Sequence, residues 1–494
     1  MRLLHVFRLP FLLICTLFYV RGSIAQEQLG MRLERYAGIY SAGLNPANTA
    51  FMPHNWEVSL FNAGYFLENN YAYLENTSIQ NALRNTDRIV AVSDLTPERP
   101  APADAILLNY FDGNRRIRAV TNVLGGGPGF SFRLGEKHVL GLTTAVRGDF
   151  SAYRVPSVFH YPQFSEIRVG QTIDIQPLQF QAMSWGEIGL HYSHLDNDGD
   201  VMTAWGISPK LMMGFAGAYG KSNLVFQYTP GSNDTAVFNT PTWEYGLSNN
   251  LLDTDNPQNS AFDVSGMGFG IDAGVSWAAP ADEEGEYRWR AGVSLLDFGF
   301  VRFGKGSERH LLRLDSILTV DGNAINANDA RGYTRVLSQL LLGDSLASLQ
   351  GETFMMGLPT GLSAQFDVQV APRFYCSAVA VQRIPVWKHS IRRASTLAVV
   401  PRYEHRWFSF SMPVVLNDWQ SLRVGLAARL GWLYLGSDNF GSFFSKNKLS
   451  GADVYIGLKI NGFTLGGGER KDRLHKERGG SGRQNLRKIK CYKF

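Results

Sequence analysis

Five stretches of this chain alternate apolar and polar residues over eight to fourteen positions, and that period of two restricts the fold more than any other feature. Successive side chains on a strand point to opposite faces, so each stretch reads as a ribbon with one greasy side and one polar side. In "FGIDAGVSW", Phe269, Ile271, Ala273, Val275 and Trp277 share one face, and Gly270, Asp272, Gly274 and Ser276 share the other. "RWRAGVSL" sets Trp289, Ala291, Val293 and Leu295 against Arg288, Arg290, Gly292 and Ser294. "LSAQFDVQV" places Asp367 between Gln365 and Gln369 on its polar face. "SLRVGLAARLGWLY" reads as one strand with Arg423 and Arg429 on the polar face and Leu422, Leu426, Trp432 and Tyr434 opposite. "ADVYIGLKIN" puts Asp453 and Lys459 across from Val454, Ile456 and Leu458.

These runs are longer than the five or six residues typical of soluble strands, and match the roughly 9–11 a tilted strand needs to cross a bilayer. Weaker candidates of the same kind begin at Trp56 and recur to Val415. Together they predict an all-β transmembrane antiparallel barrel of about 14 strands (12–16), spanning residues 56–463, with a soluble β-sandwich as the competing architecture. Composition agrees: aromatic residues make up 12%, glycine is abundant at 51, and charged residues are only 18%, below the roughly 25% of soluble domains. Beyond the N-terminal leader, no run of about 18 apolar residues suggests a membrane-spanning helix. Thr229–Ser265 and Asp321–Glu352 read as long loops, the second with a helix-like stretch, and Asn76–Asp104 as a segment that folds inward.

The first 25 residues read as a secretory signal peptide. Arg2 and Arg8 precede the apolar run "LPFLLICTLFYV", and Ser23-Ile24-Ala25 supplies small residues for cleavage. Twelve apolar residues between Arg8 and Arg21 are too few for an anchor. Only Cys376 and Cys491 follow the leader, so no disulfide framework is expected. The formal charge of +5 conceals an asymmetry, because residues 469–494 hold ten Lys/Arg against three acids while the body is net acidic. This tail, assigned to residues 464–494, is expected to be periplasmic and to meet anionic lipid or an envelope protein partner, with no nucleic acid involved.

Chemical motifs are sparse. In "HYSH", His191 and His194 fall on opposite faces of a strand and do not converge on a metal. "DNDGD" at Asp196–Asp200 reads as a hairpin turn, and "GGGPG" lacks the Lys-Ser/Thr of a phosphate loop. No Gly-x-Ser-x-Gly or His-Glu-x-x-His occurs. The expectation is therefore no enzyme, no cofactor and no metal. Candidate lumen-lining charges are Asp272, Arg288, Arg290, Asp367, Arg423, Arg429 and Lys459, read mainly as strand-register pairs and otherwise as a selective lining. Trp243 and Tyr245 are candidate loop aromatics for a small hydrophobic ligand, and outer-membrane lipid is the expected surround.

The opening "YAGIYSAGLNPAN", the strand "WEVSLFNAGYFLENNYAYL", the late "LGSDNFGSFF" and the closing "GADVYIGLKI" together resemble a Bacteroidota family of outer-membrane β-barrel proteins of uncharacterised function. The shorter Asn45-Pro46-Ala47 run is similar to a segment near the mature N-terminus of long-chain fatty-acid transporters of the outer membrane. That resemblance implies a 14-stranded barrel in which residues 26–55 form a plug, with Asn45, Pro46 and Ala47 in its hatch. It implies a channel for small, hydrophobic molecules; the alternative is a non-transporting accessory of a secretion or surface-assembly machine. Either reading places the protein in the cell outer membrane.

Overall fold

The computed structural model describes residues 27–462, apart from 114, 198–199, 254–261, 282–285, 305, 315 and 445–447. The expected signal peptide and basic tail lie outside the described residues. The chain divides at Gly462, and the fold that follows belongs to the first unit, Met1–Asn461.

A strand with one apolar face and unpaired edges is best satisfied by closing its sheet on itself, which pairs every backbone donor and removes the edges. Fourteen antiparallel strands close in this way among the described residues. The wall begins with β1 (Trp56–Asn69), β2 (Ile117–Gly126, continued by Gly129–Leu134), β3 (His138–Val155), β4 (Gln179–Asp196) and β5 (Met202–Ser222). It continues with β6 (Thr242–Leu247 and Gly266–Pro280), β7 (Tyr287–Phe303 and Glu308–Arg313) and β8 (Leu349–Gly351, Phe354–Gly357 and Gly361–Ala371). Then come β9 (Phe374–Arg383), β10 (Thr396–Glu404), β11 (Phe408–Ser411 and Val414–Asn417) and β12 (Ser421–Val424 and Leu426–Leu430). β13 (Leu433–Ser437) and β14 (Gly451–Asn461) complete it. Each strand pairs with its chain neighbours, and β14 returns to β1 through Val58↔Ile460 and Ser59↔Lys459, which closes the barrel.

The alternation read from the sequence is the inside and outside of this wall. On β6, Phe269, Val275 and Trp277 are exposed while Asp272 and Ser276 are buried. On β12, Leu422, Val424, Leu426 and Leu430 face out and Arg423 and Arg429 face in. The fourteen-residue strand expected there is, however, a hairpin: the chain reverses at Gly431, whose φ of +61° suits glycine, and β12 pairs with β13 through Arg429↔Tyr434. Tyr434 is consequently buried inside the barrel rather than placed in an outer aromatic girdle.

Connections of two lengths separate the two ends. The turns leaving even-numbered strands are tight, as at 135–137, 372–373 and 431–432, whereas 70–116, 156–178, 223–241 and 314–348 are long. The long connections carry structure of their own. Ile173–Ile175, Phe226–Pro230, Thr235–Asn239 and Ile317–Asp321 form a four-stranded sheet, and the helix-like stretch is a helix, Ala330–Leu342. Two expectations change. Thr229–Ser265 is not simply a loop, because it includes a wall segment, and Asn76–Asp104 does not fold inward: its helix Ile79–Arg84 leaves Leu83 72% exposed, beside a three-stranded sheet.

Candidate functional site in the barrel lumen

Residues 27–51 run inside the wall as short helical turns, Leu29–Arg32, Gly38–Gly43 and Pro46–Phe51. Proline is tolerated at the first position of such a turn because the donor it lacks would be unpaired there. Asn45 precedes it in extended backbone, as the residue before a proline must, and its side chain accepts from the Ala47 amide at 3.0 Å. The same side chain donates through Nδ2 to Val275 O at 3.2 Å and Ser276 Oγ at 3.0 Å on β6. Asn48 Nδ2 donates to Gln365 Oε1 on β8 at 3.0 Å, and Thr49 Oγ1 meets His191 Nε2 at 2.6 Å and Ser193 Oγ at 2.7 Å on β4. Asn45, Pro46 and Ala47 are all buried.

This close approach depends on glycines in the wall. A Cβ on Gly206 of β5 would come within 2.6 Å of the Pro46 carbonyl carbon, and one on Gly274 of β6 within 2.2 Å of Asn45 Oδ1. Alternation needs small residues on the inner face only where something fills the lumen, and these glycines mark where the segment sits.

The first part of the segment meets charge instead. Lys459 Nζ donates to the Tyr36 and Ala37 carbonyls at 2.7 and 2.6 Å and to Glu57 at 2.7 Å. Glu57 also takes the Ile39 amide, His54 Nε2 at 2.6 Å and Ser131 Oγ at 2.9 Å. Arg429 pairs with Glu34 at 3.0 Å, and Arg290 donates to Leu33 O at 3.0 Å while lying 3.6 Å from Asp367. Asp367 is held in turn by Arg402 and Tyr287. Arg423 pairs with Glu68, and Asp272 with Lys210 at 2.7 Å. Six of the seven expected charges therefore point into the barrel and are paired there. Arg288 does not join them. The register of β6 and β7 shifts between Ala279 and Pro280, Arg288 is the extra residue, and it is exposed.

Trp243 and Tyr245 are also relocated. They lie in the wall, on the Thr242–Leu247 segment of β6, and Tyr245 is buried with its ring stacked on His310 at 4.7 Å. Alternating Trp, Glu and Tyr in a short run is strand-forming, and pairing with β7 through Tyr245↔His310 fixes it there.

The group that sequence reasoning missed is Asp297. By parity with Val293 and Leu295 it would face out, but a second bulge in β7, opposite Asp272, turns it in. Its φ is +50°, a costly conformation for a residue with a Cβ, and three cations hold it: Arg147 at 2.9 Å, Lys210 at 3.0 Å and Arg393 at 3.1 Å. A lone acid on an otherwise apolar parity was the only signal available.

Arg393 belongs to the 384–395 connection, whose His389 and Ile391 hydrogen-bond backbone to backbone with Gly357. It also forms two bonds of 2.8 Å to Glu27, so one guanidinium ties a long connection, the wall and the inner segment together. Burial alone would raise the Glu27 pKa, but the Arg393 charge overrides it and holds the carboxyl below its ordinary value. Beside this node is a cavity of about 120 Å³ lined by the segment (Glu27, Arg32), the wall (Arg147, Asp149, Asp297) and the connection (Arg393).

Several solved structures are similar in fold. The toluene transporter TbuX of Ralstonia pickettii aligns at a TM-score of 0.37 and 10% identity, covering 90% of this chain and 99% of that one. A Pseudomonas aeruginosa FadL homologue aligns at 0.29 and 9%, covering 89% and 98%. The translocator domain of the autotransporter NalP from Neisseria meningitidis aligns at 0.30 and 8%, covering 86% and 96%. No functionally curated protein matches the chain in sequence. Residues 46–438, which take in the Pro46–Phe51 turn and the wall through β13, match the family of unknown function DUF5723, and the chain belongs to that family.

Proposed function

We propose that this protein is an outer-membrane channel for small molecules, with residues 27–51 acting as its plug. Short turns at one end and long connections at the other are the asymmetry of such barrels, and they orient the cavity end outward. The observation that carries the proposal is the cavity. Wall, plug and an outer connection converge on it through Glu27, Asp297 and Arg393, and it ends against the plug. A solute entering there competes for the bonds that hold the plug, so occupancy and opening are coupled in one place.

The test is conductance of the purified barrel in a planar bilayer. Deleting residues 27–51 is expected to turn a closed protein into a pore; a deletion variant that folds, shown by heat-modifiable migration, yet stays closed overturns the proposal. A second reading makes the protein a non-transporting envelope component that recruits a partner through its basic tail, supported by the ten Lys/Arg in residues 469–494. Removing those residues would then abolish co-purification of the partner and leave conductance unchanged.

A further inference from the structure

The cavity has a composition that an apolar cargo does not match. Five acids and five bases line it, so its formal charge is zero while its surface is strongly dipolar. Most of these groups satisfy one another around Asp297 and Glu27. Three are less well served. Arg392 pairs with Asp418 at 2.9 Å but leaves its Nε unpartnered. Arg32 Nε is buried with no hydrogen-bond partner among the described residues, while its Nη1 donates to Gly43 O at 3.3 Å and lies 3.8 Å from Glu27. Asp149 accepts from the neutral Asn122 through Oδ1, but its Oδ2 lies 4.0 Å from Arg147, at the limit of an ion pair. With Arg392 committed to Asp418, the chamber offers Arg32 as a guanidinium without a close acid and Asp149 as an underused carboxylate.

We infer that the chamber binds a small zwitterion, a solute of amino-acid size whose carboxylate meets Arg32 and whose ammonium meets Asp149. This rests on the channel reading above and names its substrate class. Three classes of solute can be weighed. An apolar molecule would strip water from charged groups and return no hydrogen bonds. A solute with net charge would leave that charge unbalanced in a buried, neutral site. A zwitterion adds no net charge and supplies both missing partners. Size agrees, because about 120 Å³ admits several waters, each needing about 10–15 Å³ of such space, and so has room for a solute of about five heavy atoms.

The experiment uses the full chain in detergent micelles, with binding of glycine, acetate, ethylammonium and toluene measured by equilibrium dialysis. Glycine is expected to bind at least about tenfold more tightly than acetate or ethylammonium, since each lacks one charge-assisted hydrogen bond, and toluene is expected not to bind. Arg32→Met and Asp149→Asn should each weaken glycine binding about tenfold, by the same loss of one charged partner. Glycine binding no better than the single-charge probes, or toluene binding in its place, overturns the assignment, and the wild-type series decides this even if a variant fails to fold. Conductance after deletion of residues 27–51, measured on the same preparation, tells failure of the zwitterion assignment from failure of the channel reading.

Discussion

The two halves of the inner segment are held by different physics. Leu44–Phe51 is seated mainly by neutral hydrogen bonds from Asn45, Asn48 and Thr49 onto a wall pared down to glycine at 206 and 274, with one charged contact, Arg133 donating to the Ala50 carbonyl at 2.9 Å. Glu27–Ala37 is held by charged wall residues, Lys459, Arg429 and Arg290, and by Arg393 of the 384–395 connection. Both halves also bury apolar groups, Ala47 and Ala50 in one and Leu29 and Leu33 in the other. The lesson is that shape chiefly positions Leu44–Phe51, while charge chiefly positions Glu27–Ala37, and only the second should depend on salt and pH.

The contrast can be broken most severely at Lys459. Lys459→Met leaves Glu57 buried without its cation and should cost about 3–5 kcal/mol in denaturant unfolding of the micellar protein. A cost near zero would mean that the charged half contributes little to stability. Gly206→Val drives a side chain into Pro46 and should cost about 1–3 kcal/mol as overpacking, visible as faster proteolysis within residues 27–55 while the barrel still shifts on heating. If proteolysis is unchanged, the seat is not shape-dependent. Asn45→Ala removes neutral bonds to Val275 and Ser276 and should lose about 1 kcal/mol per bond, with no change in salt dependence.

The smallest expected effect is that of pH at Glu27. Its pKa is lowered in the folded protein, so the clasp with Arg393 stabilises fully above the ordinary carboxylate value and is lost as pH falls through the depressed one. Proteolysis within residues 27–55 should therefore rise only at strongly acidic pH, and Glu27→Gln should flatten that rise. A wild-type response already complete near pH 6 would assign the transition to another group.

The alternation also constrains how substitutions can be read. On sequence grounds alone, Ser276 is an inner position that tolerates a large polar residue. In the structure its hydroxyl donates to Asn48 and accepts from Asn45, so Ser276→Arg would unseat the inner segment rather than pass unnoticed. His191 likewise reads as an ordinary polar residue, yet it bridges Ser208 and Thr49. The expectation of an apolar cargo rested on resemblance and on Trp243 and Tyr245, and the binding series with glycine and toluene sets it against the charged chamber beside Arg393.

By itself the sequence pointed to the barrel over a sandwich, because a strict period of two in runs longer than soluble strands is best satisfied by a closed wall. It also determined the face of Asp272, Arg290, Asp367, Arg423, Arg429 and Lys459, since parity along a strand is local. Tertiary structure alone decided what breaks parity: the bulges that expose Arg288 and turn Asp297 inward, and the reversal at Gly431 that buries Tyr434. Bulges and turns depend on the register of the neighbouring strand and on what fills the lumen. No single strand carries that information, and the cavity at Glu27, Asp297 and Arg393 is assembled from parts of the chain hundreds of residues apart.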